Sequence, residues 1–144
     1  MSLSTSIEVD RPPETTFAYV TDPARFAEWQ KGVVAGHMDE DGPVIVGSRC
    51  RTTRRIGFAE RPITAEVTHL APPRTWGVRG IDGPIRSEVN VTVDSLDGGR
   101  RSRITIELDF SGHGIGKLLV PLIVRRQARA EMPSNMRRLK QRLE

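Results

Sequence analysis

The chain predicts an α+β fold: an antiparallel sheet of seven strands covered on one face by a long C-terminal helix, with two short helices between the first and second strands. Three observations carry this. Seven segments are strand-like, and each has only one apolar face. Tight turns join most of them, which makes neighbouring strands antiparallel. After Gly112-His113-Gly114-Ile115-Gly116 the chain runs from Lys117 to Glu144 without another glycine. A helix of about 28 residues spans roughly 42 Å at ~1.5 Å per residue, enough to cross a sheet. A sheet with one apolar face needs a covering layer, and this helix alone is long enough to supply it. Helix and sheet are then expected to enclose a pocket, and function is expected to lie there.

In the first strand, Leu3, Thr5, Ile7 and Val9 alternate with Ser4, Ser6, Glu8 and Asp10. Arg11-Pro12-Pro13 ends it. Pro13-Glu14-Thr15 opens a short helix, since proline is tolerated in the first turn and an early carboxylate suits the helix dipole. Thr21-Asp22-Pro23 breaks that helix, and Asp22 caps a second through Arg25, Phe26 and Trp29. Val33 to Met38 is a short strand leading into Asp39-Glu40-Asp41-Gly42-Pro43. Ser48 to Ile56 is the next. Ile63, Ala65 and Val67 then alternate with Thr64, Glu66 and Thr68 up to Ala71-Pro72-Pro73-Arg74. Trp76, Val78 and Gly80 precede the turn Asp82-Gly83-Pro84. Ile85, Ser87, Val89, Val91 and Val93 share one strand face, and Asp97-Gly98-Gly99 is a hairpin turn. Ile104, Ile106, Leu108 and Phe110 complete the sheet.

The terminal helix carries Met132, Met136, Leu139 and Leu143 at spacings of four, three and four, an apolar stripe in a mostly basic segment. Pro121 and Pro133 fall inside it. Each removes a backbone hydrogen bond, costing on the order of 3 kcal/mol if unrelieved. A separate turn before Pro121 and a kink at Pro133 are expected, with Ile115 to Leu122 as the segment able to gate the pocket.

The 144 residues suit one domain, 1–144, with a sizeable core. Net charge is +4, yet the arginines are spread over strands, turns and helix, and aromatics make up only 5% of the chain. Single-strand binders interleave basic residues with stacking aromatics, so the pattern argues against nucleic acid as the partner. No run reaches the ~18 apolar residues of a membrane span, and the N-terminus has no signal layout. A cytoplasmic protein, monomeric or homodimeric, is the expectation. The single Cys50 excludes an internal disulfide and a multi-cysteine metal site.

Ile7-Glu8-Val9 followed by Pro12-Pro13-Glu14, then Phe17-Ala18-Tyr19-Val20-Thr21-Asp22-Pro23 and Trp29, then Glu66-Val67 leading to Pro72-Pro73-Arg74, and Leu139-Lys140-Gln141-Arg142-Leu143-Glu144 at the end follow one another along the chain. In that order and spacing the whole chain resembles the START-like, helix-grip superfamily (SRPBCC), and within it the polyketide cyclase/dehydrase and lipid-transport group. The resemblance implies a curved seven-stranded sheet gripping the last helix around an apolar cavity. It implies a small hydrophobic ligand of lipid, polyketide or aromatic type. It also implies an alternative, a cofactor-independent cyclase or dehydratase using the same cavity. A third reading makes the basic helix face a docking surface for a protein partner.

Residues expected to bind the ligand are Trp29, Trp76, Val67, Val78, Val91, Leu119, Leu122 and Ile123 as walls, with Arg49 or Arg51 orienting a carboxylate or enolate bidentately. For catalysis the candidate is His37, a neutral imidazole able to act as general base. His69, His113 and Glu66 are further polar candidates. No histidine pair has metal-ligand spacing, and there is no nucleophile elbow or phosphate-cradling loop. Neither a metal nor a cofactor is expected.

Overall fold

In a computed structural model, which describes residues 2–112 and 114–144, the strands are β1 (Ser2–Val9), β2 (Val33–Met38), β3 (Arg49–Ile56), β4 (Ala59–Ala71), β5 (Thr75–Gly80), β6 (Ile85–Leu96) and β7 (Arg101–Gly112). They form one curled antiparallel sheet in the order β1-β7-β6-β5-β4-β3-β2. Hairpins place every consecutive pair from β2 to β7 side by side. The first strand closes the far edge against the last, with Ile7 opposite Ile104 and Val9 opposite Ser102.

Between β1 and β2 lie α1 (Pro13–Val20), a 3-10 turn (Pro23–Arg25) and α2 (Phe26–Trp29). The Asp22 carboxylate accepts from the Ala24 N–H at 3.0 Å, so the side chain read as a cap performs that task for the 3-10 turn. This turn packs directly on β2. A Cβ built on Gly36 would sit 2.5 Å from the Pro23 carbonyl oxygen, a backbone atom, so the close approach requires glycine.

The C-terminal segment divides into α3 (Gly116–Leu119), a π-helical turn (Val120–Val124) and α4 (Arg125–Leu143). Pro121, which has no N–H to donate, falls in the π turn, where wider i→i+5 bonding absorbs a missing donor. Pro133 lies within the span of α4 at an exposed position, which leaves the orphaned carbonyl of Arg129 on the solvent side.

The core joins sheet and helix. Val9, Ile104 and Leu139 are wholly buried, and Met136 and Leu143 continue the helical stripe into the same cluster as Phe17, Val20 and Val93. The end of α4 is pinned to the β1–α1 connection. Arg11 Nε donates to the Leu143 carbonyl, and its Nη2 to that of Glu144 at 3.2 Å. Lys140 Nζ reaches the Glu8 carbonyl at 2.8 Å. The Arg11 contacts satisfy carbonyls that a helix end leaves unpaired, and both cations suit the negative end of its dipole.

Candidate functional site

The sheet and α4 do not meet along their full length, and between them lies a cavity of about 160 Å³. Strand alternation chooses its floor: Cys50, Thr52, Arg54 and Ile56 from β3, Ile63 and Ala65 from β4, Trp76 and Val78 from β5, Ile85, Ser87, Val89 and Val91 from β6, and Ile106, Leu108 and Phe110 from β7. The C-terminal segment contributes Val124 from the π turn and Gln127, Ala128, Glu131, Met132, Asn135 and Met136 from α4, one face at three- and four-residue spacing. Phe26, Trp29 and Gln30 close one side. Phe26 meets both tryptophans edge to face, with ring centroids 6.1 Å from Trp29 and 6.3 Å from Trp76. The wall is thus rigid and aromatic there.

Among the described residues, Thr5 of β1 and Ser87 of β6 line the cavity too, but its longer polar side chains lie on the β3–α4 side. Arg54 Nη1 donates to Gln30 Oε1 at 3.0 Å, and among the described residues no carboxylate lies within ion-pair distance of this guanidinium. Burial lowers its pKa from the ordinary arginine value, with Cys50 and then Glu131 acting in the other direction. Gln127 is a strut. Its Nε2 donates to the Arg55 carbonyl at 2.6 Å and to Glu131 Oε1 at 3.2 Å, while its Oε1 accepts from the Gly57 N–H at 2.9 Å. Asn135 Oδ1 likewise accepts from the Lys31 N–H at 3.0 Å. Trp29 Nε1 is buried and finds no acceptor among the described residues. Burial also pushes the Cys50 thiol up, which keeps it protonated and a wall rather than a nucleophile.

Of the residues singled out from the sequence, Trp29, Trp76, Val78 and Val91 line this cavity. Val67 is buried in the core cluster beyond the lining. Ile123 is exposed and faces Gly57. The side chains of Leu119 and Leu122, and His113, lie outside the described residues. Arg49 and Arg51 do not line the cavity: both are exposed, on the opposite strand parity from Cys50, Thr52 and Arg54, and Arg51 pairs there with Asp39 at 2.7 Å. His37 sits beside Arg51 in the register and is exposed, also away from the cavity. His69 bonds Asn90 at 2.7 Å across Gly77, where a Cβ would meet the imidazole.

Sequence reasoning missed Arg54, Gln30 and the polar stripe Gln127–Glu131–Asn135. The signals were present. Arg54 shares strand parity with Cys50 and Ile56, and the three helix residues are four apart, next to Val124, Ala128, Met132 and Met136.

Among the described residues, no three His, Cys, Asp or Glu side chains gather as a metal site. No helix there is long and apolar enough to cross a membrane.

Solved structures of the same shape include a START superfamily protein from Mycobacterium smegmatis, 15% identical over 99% of this chain and 96% of its own, with TM-score 0.75. The Zhui aromatase/cyclase from Streptomyces sp. R1128 is 13% identical over 100% and 96%, also at 0.75. The protein TTHA0849 from Thermus thermophilus is 16% identical over 99% and 97%, at 0.76. At these identities the likeness is one of fold. A search of the curated proteins finds no match. The family model described as polyketide cyclase / dehydrase and lipid transport matches residues 1–144, and the chain belongs to that family.

Proposed function

We propose that this protein binds a compact apolar molecule, about one aromatic ring in size, that carries an acidic or carbonyl oxygen. Size supports the first part. An apolar cavity of roughly 150 Å³ holds a benzene-sized guest, whereas drug-sized ligands occupy about 300 Å³ or more. The observation that carries the second part is the Arg54 guanidinium, which lines a mostly apolar cavity of about 160 Å³ with no carboxylate at ion-pair distance among the described residues, together with the lining residue Trp29, whose buried N–H has no acceptor among them. A buried donor without an acceptor costs about 1–3 kcal/mol, which a ligand oxygen returns on binding. A guanidinium without a carboxylate partner favours the same oxygen, most strongly when it is anionic.

The two tryptophans of the chain both line the cavity, so quenching of their fluorescence reports its occupation. Substituted benzoates are expected to quench saturably. Trp29→Phe keeps the ring, removes the N–H and leaves Trp76 as reporter; affinity should fall about tenfold. Unsaturable quenching across the series, together with native mass spectra free of a copurified small molecule, would remove the reading.

A second reading, cyclisation or dehydration of a short β-keto compound of that size, is favoured by the Glu131 carboxyl group lining the same cavity as Arg54. A carboxyl group able to move a proton, in one cavity with a cation able to hold an enolate, is the minimum for that chemistry. Glu131, not the outward His37, is its base. Product formation abolished in Glu131→Gln with benzoate binding retained is the expected signature.

A further inference from the structure

Large apolar side chains are left in solvent at one end of the fold. Phe58, at the tip of the β3–β4 hairpin, is fully exposed, and Ile115 and Leu118 are each 64% exposed. Ile123 is also exposed, and its Cγ2 lies 3.7 Å from a Cβ built on Gly57, so the hairpin tip and the π turn adjoin. Gln127 ties the two together through Gly57 and Arg55. Scattered exposed apolar residues need no explanation, but a contiguous group marks an interaction site.

The charge along the C-terminal segment is one-sided. Residues 113–144 hold eight basic and two acidic side chains, a net +6, which leaves −2 for residues 1–112. All of the chain's excess positive charge therefore sits in the segment that carries Ile115, Leu118 and Ile123. Lys117 is exposed between the first two, and Arg126, Arg129 and Arg137 follow on the outward side of α4. None of these three arginines has a carboxylate partner among the described residues.

We propose that this end of the molecule docks on a bilayer containing anionic phospholipid, with Phe58, Leu118 and Ile123 entering the acyl boundary and Lys117, Arg126 and Arg129 at the headgroups. Protruding apolar tips fit a deformable hydrocarbon layer and leave no groove for a partner's side chain. Nucleic acid or an acidic protein would use the basic stripe and leave the tips in water. Attraction of basic residues to an anionic leaflet and insertion of apolar ones are separate contributions, and a surface with both binds peripherally without a spanning helix. Ile56 and Val124, which line the cavity, lie next in sequence to the Gly57–Phe58 tip and to Ile123, so docking sets that end of the cavity against the bilayer.

The test is cosedimentation of the full chain with vesicles of phosphatidylcholine alone or mixed with phosphatidylglycerol, with no cavity ligand added, so that it is read independently of the ligand reading. Binding to the mixed vesicles is expected. It should weaken between about 0.1 M and 1 M salt, where the screening length falls from ~10 to ~3 Å. The double variant Phe58→Ser, Leu118→Ser changes only exposed side chains and should lower the partition coefficient about tenfold or more. Arg126→Glu with Arg129→Glu should abolish binding at low salt, and circular dichroism checks that both variants fold. Absence of wild-type binding overturns the proposal. So does binding indifferent to the serine pair, which reduces it to adsorption of the basic stripe with no insertion of the apolar tips, and so does binding indifferent to charge reversal.

Discussion

Replacing Arg54 by methionine separates ligand recognition from stability, because the two should move independently. The guanidinium lines the cavity, donates to Gln30 Oε1 at 3.0 Å and has no carboxylate at ion-pair distance among the described residues. Burial already depresses its pKa, which means that the protein bears a cost to keep the charge there. A hydrogen bond from a charged group is worth about 1.5–3 kcal/mol, so losing it should weaken binding of a benzoate roughly 10- to 150-fold. Methionine fills similar space without the desolvation cost, so the unfolding midpoint should hold or rise, since exchanging a buried ionic group for an apolar one is often neutral or stabilising. The assay is a pair of titrations, one with a benzoate and one with the matching toluene. Only the benzoate should lose affinity. Equal losses for both would mean that Arg54 merely shapes the wall, and an unchanged benzoate affinity would refute the role outright.

Two further expectations concern the frame around the site. Tyr19 is the single tyrosine in the chain, so its ionisation can be followed by absorbance without interference from another phenol. Burial first, then its hydrogen bond to Glu28 at 2.9 Å, push its pKa from 10.0 up to about 12 in the folded state. A raised pKa means that its stabilising contribution is complete below pH 10 and is lost as pH rises through about 12. Tyrosinate should therefore appear near pH 12, and Glu28→Gln should bring the midpoint down only part of the way; a midpoint at 10 in the native protein contradicts this. Gly36→Ala brings a Cβ to 2.5 Å from the Pro23 carbonyl, which cannot swing aside as a side chain would. A loss of about 1–3 kcal/mol is expected, read as a midpoint lower by several degrees with the mutant still folded; an unchanged midpoint means that the 3-10 turn is free to move.

The fold was legible because its periods are clean. Ile104, Ile106, Leu108 and Phe110 lie on one face at a period of two, and Met132, Met136, Leu139 and Leu143 at the helical period. Turn residues set the antiparallel order, and the proline in the first turn of α1 and the Asp22 cap were readable from local chemistry. The lining was less legible. Arg49, Arg51 and Arg54 all belong to one strand, and a difference of one position decides between solvent and cavity.

What the sequence determined by itself is therefore everything governed by neighbours along the chain: strand alternation, turns, caps and the long basic helix with its apolar stripe. Tertiary structure decided what depends on partners far away. It placed Arg54 inside and His37 outside, because only the position of α4 says which face of β3 is covered. It left the Trp29 N–H without an acceptor among the described residues, since that is a fact about every atom around the ring. It also brought the β3–β4 hairpin against the π turn, so that Phe58 and Ile123, 65 positions apart in the chain, form one apolar end. Short-range periodicity repeats along a sequence and can be counted, whereas enclosure and hydrogen-bond satisfaction arise only when distant segments meet.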